Sequence, residues 1–168
     1  MKKKIKNKKK GSVLSVIGIL MITAVIILCS MLVLPGIFGY HMYNVISGSM
    51  EPAVKVGSLI YVRADEPAKT KENDIIAFYS SAEDGGIITH RVIENNAVAG
   101  RFRTKGDAND TEDLTPIEYE NYIGRVSLVV PYMGELFTVM SSSYGKIAAA
   151  CVTFLGALLS VFGSGKKD

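Results

Sequence analysis

The chain opens with lysines and then carries no charged side chain from Gly11 to Tyr40. The dense centre of that run, Val13 to Leu34, is 22 residues long. As a helix it would measure roughly 33 Å, the apolar thickness of a bilayer. Pro35 and Gly36 are expected to break the helix where it leaves the lipid. The h-region of a cleavable secretory signal has only about 7–15 residues, so this run predicts a retained anchor. A second uncharged run of 19 residues separates Lys146 from Lys166. It has no polar stripe of the kind a soluble helix shows, and its small residues suit helix contact within lipid.

Between the runs the pattern changes to short β-branched and aromatic segments divided by turn residues. Gly57–Arg63, Asp74–Ser80, Gly86–Glu94, Ala97–Thr104 and Tyr122–Val130 read as strands. Asp84-Gly85-Gly86 reads as a turn, and Asn95-Asn96 as the link of a hairpin between the third and fourth. No segment from Tyr40 to Gly134 keeps a helical period. The expected architecture is mostly β: a small antiparallel domain flanked by two transmembrane helices. The divisions are a Lys-rich tail over 1–10, a span over 11–36, a β-rich domain over 41–133, a connection over 134–145, a second span over 146–165, and a tail over 166–168.

Charge orients this arrangement. Seven of the first ten residues are Lys, which the positive-inside rule keeps in the cytoplasm, and Lys166 and Lys167 follow the second run. Both termini are then cytoplasmic and the β domain lies outside. From His41 to Gly145 there are 9 Lys and Arg against 15 Asp and Glu, although the whole chain is at +3. That acidic domain excludes a nucleic-acid partner. Both cysteines, Cys29 and Cys151, fall in the apolar runs, so no disulfide framework, catalytic thiol or Cys-based metal site is expected outside. No metal or cofactor is expected.

Three islands in the β domain carry chemistry: Ser47-Gly48-Ser49-Met50-Glu51-Pro52, Thr89-His90-Arg91-Val92, and Lys105-Gly106-Asp107 through Asp113. They supply a hydroxyl, an imidazole and carboxylates, the groups of a Ser–His–Asp hydrolase. A serine needs an adjacent base, and neutral imidazole is suited to that work near neutral pH. Spacing alone leaves plainer readings open: a simple turn, a strand histidine bonded to a carbonyl, and a solvated or weakly calcium-binding loop.

In that order, after an anchor and before a second apolar run, the islands resemble type I signal peptidases. The narrower likeness is to their endoplasmic-reticulum-like branch, also found in archaea and some Gram-positive bacteria. It covers Val45 to Val130 and the anchor. The resemblance implies a membrane-bound serine endopeptidase that removes signal peptides from exported precursors at the outer face of the cytoplasmic membrane. Its partners would be those precursors and the bilayer. It implies Ser49 as nucleophile and His90 as base, where most bacterial members use a lysine, and there is no Lys between Glu72 and Thr104 here. The branch's two aspartates fall on Asp107 and Asp113, either of which could orient His90. Ser47 matches the hydroxyl that joins the Ser49 amide in holding the oxyanion, with Gly48 allowing close backbone approach. Two positions depart from the family: Ser58, often an acid, and Asn73, commonly Gly. A sortase would need an external cysteine. A non-enzymatic envelope scaffold or adhesion domain is the alternative, and it would tolerate changes at Ser49 and His90.

Overall fold

The computed structural model describes residues 2–80 and 85–164. It separates into a helical unit, 1–34 with 139–168, and a β unit, 35–138. Asp84 of the expected turn and Lys166 and Lys167 of the expected tail lie outside the described residues.

The helical unit is built from two long apolar helices, α1 (Lys2–Ile37) and α3 (Ser143–Gly163). Their stretches Val13–Ile37 and Ser143–Gly163 are long and apolar enough to cross a membrane, and most of their side chains are exposed. They meet backbone to backbone at one crossing. A β-carbon on Gly18 would strike the carbonyl of Gly156, and one on Gly156 would lie 2.9 Å from the carbonyl of Gly18. Small residues permit such an approach. Ser142 caps α3 by accepting from the amide of Gly145 at 3.1 Å.

Pro35 does not end α1. The helix runs on to Ile37, the Pro35 carbonyl still accepting from the amide of Phe38 at 3.0 Å, and the chain turns at Gly39 with φ +79°.

Among the described residues the β unit has seven strands. They are β1 (Tyr40–Asn44), β2 (Leu59–Arg63), β3 (Ile75–Tyr79), β4 (Ile87–Asn96), β5 (Arg101–Lys105), β6 (Ile117–Glu118) and β7 (Tyr122–Val130). They form one sheet in the order β1-β2-β7-β3-β4-β5-β6, antiparallel throughout. Irregularities at Tyr61/Val62, Ala77/Phe78 and Val92/Glu94 bend the strands, so the sheet curls. Alternation along β3 then feeds two cores. Ala77 joins Met50, Val54, Ile60 and Val62, whereas Ile76 and Phe78 join Val92, Phe102 and Ile117.

The hairpin between β4 and β5 turns later than Asn95-Asn96. Strand β4 continues through Asn96, and residues 97–100 make the turn. Asn96 Oδ1 accepts from the amide of Ala99 at 2.9 Å, and Gly100 supplies φ +67°. Asn95 is tied down elsewhere, donating to the carbonyls of Pro67 and Thr70. Beneath this edge Tyr122 donates to Asp65 at 2.6 Å and lies 3.1 Å from the Thr70 hydroxyl. After β7 a short helix, α2 (Gly134–Ser141), occupies most of what reads in sequence as a plain connection. The amide of Gly134 donates to the carbonyl of Gly57.

Candidate active site

His90 sits in the half of β4 that pairs with β3, opposite Ile76. It is buried, with its ring edge-on to Phe78 at 6.1 Å between centroids. Nδ1 lies 2.6 Å from Asp113 Oδ2. That carboxylate is itself fixed by β5. Its oxygen accepts from the buried Thr104 hydroxyl at 2.6 Å, and the Asp113 amide donates to the Thr104 carbonyl at 2.9 Å. A carboxylate accepts only, so Nδ1 donates to Asp113, and in the neutral ring that tautomer puts the lone pair on Nε2. Both side chains are only partly exposed, at 10% and 21%, which limits solvent screening of the pair.

Ser49 follows β1 by way of a segment latched at both ends. The amide of Val45 donates to the Ser58 carbonyl, and the amide of Gly57 donates back to Val45. Immediately after Ser49 the chain dives inward, with Met50 and Val54 wholly buried. The burial of Met50 holds the preceding serine at the rim. The carbonyl of Ser49 accepts from the amide of Ala108 at 2.9 Å, which stitches the loop after β5 onto the serine turn.

Gly106 makes that stitch possible. A β-carbon there would lie 2.6 Å from the Ser49 carbonyl oxygen, 2.8 Å from Asn109 Nδ2 and 3.0 Å from His90 Nε2. No side chain fits. At Gly48 the demand is absent, since a β-carbon would meet nothing closer than 3.7 Å.

Ser47, Ser49, His90 and Asn109 line one cavity of about 510 Å³, whose remaining wall is largely apolar, with Val45, Ile60 and Ile87 among it. Among the described residues no hydrogen bond joins Ser49 to His90; the two share the cavity wall. Hydrogen bonds of this kind are often loose until substrate closes them.

Asp107 goes elsewhere. Its two oxygens take Arg91 Nε at 2.7 Å and a terminal nitrogen at 2.6 Å, a bidentate pair. The hydrogen bond to Asp107 holds the Arg91 guanidinium above its ordinary range. Arg91 also donates to the carbonyl of Asn73 at 2.8 Å. Asn73 has φ +70°, the left-handed region that glycine adopts freely and asparagine tolerates better than most residues. Asp110 is exposed. The sequence did not single out Gly106 as a packing residue or Asn109 as a wall of the cavity, since only the folded loop shows what stands beside them.

No family model matches the chain. Curated relatives do. It is 38% identical over 90 residues to signal peptidase I W of Bacillus subtilis, covering 52% of this chain and 46% of that protein. It is 32% identical over 123 residues to the signal peptidase complex catalytic subunit SEC11C of Rattus norvegicus, covering 67% of this chain and 63% of the relative. A third relative, the catalytic subunit SEC11 of Pyricularia oryzae, is 29% identical over 125 residues, covering 68% and 72%. The chain is a homologue of the type I signal peptidases, on their endoplasmic-reticulum-like branch. It spans about half to two thirds of the length of the first two of these signal peptidase relatives.

Proposed function

We propose that the chain is a membrane-bound serine endopeptidase that removes signal peptides from exported precursors. The observation that carries this reading is the His90–Asp113 contact at 2.6 Å, with Nε2 left free beside a cavity that Ser49 and Ser47 also line. The homology supports the same chemistry.

In this reading His90 Nε2 accepts the proton of Ser49 as Oγ attacks the carbonyl before the cut. Asp113 holds the imidazole in the working tautomer and stabilises the imidazolium. The Ser49 amide and the Ser47 hydroxyl donate to the oxyanion. His90 then protonates the departing amine, and water hydrolyses the ester on Ser49. The apolar cavity suits the small apolar residues that precede a signal-peptide cut. Asp107, bonded to Arg91, positions the loop that carries Gly106.

The two apolar helices are membrane spans in this account, with both termini cytoplasmic and the β unit outside. A substrate anchored in the same bilayer then meets the enzyme at raised effective concentration. The test is processing of a precursor by the full chain in vesicles, with the new N-terminus sequenced. Ser49→Ala abolishes processing; trimming by that variant at the wild-type rate would overturn the proposal.

A further inference from the structure

Gly106 leaves a polar recess that the triad alone does not use. The Ser49 carbonyl, Asn109 Nδ2 and His90 Nε2 all lie within 3.0 Å of the place its β-carbon would take. The Ser49 carbonyl is already occupied by the amide of Ala108. His90 Nε2 and the side chain of Asn109 are not: among the described residues neither has a hydrogen-bond partner. Asn109 is held in place through its backbone, its amide donating to the Gly106 carbonyl at 3.0 Å. Its side chain therefore reaches the cavity wall by the set of the turn, and what it presents to Nε2 is an unpaired amide.

We infer that Asn109 holds the water that hydrolyses the acyl-enzyme. The inference rests on the serine-peptidase reading above. Two polar groups that each lie within 3.0 Å of one point are no more than about 6 Å apart, a gap that a single water on the cavity side of Gly106 bridges at ordinary hydrogen-bond lengths to each. Once the amine product has left, that water donates one hydrogen to Nε2. The Asn109 amide donates to one lone pair of the oxygen, which aims the other at the ester carbon. The water oxygen forms a bond to that carbon as its proton passes to His90. The bond from carbon to Ser49 Oγ then breaks, and Oγ recovers the proton from His90. The products are the carboxyl end of the signal peptide and free enzyme, with no other reactant consumed. Asn109 has no part in the first proton transfer, which runs between Ser49 and His90.

The test separates the two half-reactions by offering a nucleophile that does not depend on the water site. The full chain in vesicles cleaves a precursor in the presence of hydroxylamine, and the ratio of hydroxamate to carboxylate on the released signal peptide is measured. Asn109→Ala is expected to raise that ratio roughly 10²-fold, a loss of the size seen for one positioned donor. Asn109→Gln should restore part of the wild-type ratio. The ratio does not depend on which step limits turnover, nor on what fraction of the variant is folded. An unchanged ratio in Asn109→Ala would overturn the role of Asn109 while leaving the peptidase reading intact. Absence of Ser49-dependent cleavage by the wild-type chain would overturn both.

Discussion

His90 and Asp113 face one another at 2.6 Å, and Thr104 donates to the same carboxylate oxygen. Asp107, six residues earlier, is committed to Arg91. The two acids therefore do different work, and replacing each should give a different loss. Asp113→Asn removes the partner of Nδ1 and is expected to lower turnover roughly 10⁴-fold, as for triad aspartates. Asp107→Asn should cost much less in turnover and act mainly by loosening the loop, seen as a lower Tm. Equal losses of turnover, or a larger one at Asp107, would contradict this division.

Gly106→Ala forces a β-carbon against the Ser49 carbonyl and His90 Nε2. Two of the three neighbours belong to the reacting groups, so activity should fall more steeply than stability. Overpacking of this kind costs about 1–3 kcal/mol. Gly48→Ala, where a β-carbon has room, should leave Tm unchanged. Thermal melts of both variants beside their cleavage rates check this.

Burial, and then the hydrogen bond to Asp65, hold the Tyr122 phenol well above its ordinary range. The folded protein binds that proton more tightly than the unfolded chain. The resulting stability is fully present below the ordinary tyrosine value, about 10, and is lost as pH rises through the higher folded value. Tyr122→Phe should be less stable than wild type at pH 8, and the gap should narrow as pH rises past 10. A gap that stays constant to pH 11 would contradict the assignment.

The proposed topology puts Thr111 outside and the lysines at both ends inside. A cysteine at Thr111 should react with an impermeant reagent in intact cells, and one at Lys167 only after lysis. Labelling of both in intact cells would contradict the second span.

How far the sequence carried the reading follows from the range of each force. Strands β2, β3, β4 and β7 were legible because alternation and β-branching are local. The turn after β4 was placed too early, since Asn95-Asn96 is turn-prone but Asn95 is bound to the loop at Pro67 and Thr70. The two-residue strand β6 and the helix α2 are too short to leave a period. Ser49, His90 and the acidic loop were visible as residue types. Which aspartate meets His90 was not, because that depends on the register of β4 against β5 and on Thr104. The roles of Gly106 and Asn109 depend on a close approach between segments far apart in sequence.

The central claim is that Ser49 and His90 act as one unit in cutting a precursor. Single-turnover cleavage by wild type, Ser49→Ala, His90→Ala and the double variant tests it most directly. Each single variant should lose several orders of magnitude, and the double should be no slower than the worse single, because either loss alone stops the same step. Losses that multiply in the double variant, or a His90→Ala chain that cuts at the wild-type rate, would contradict the account.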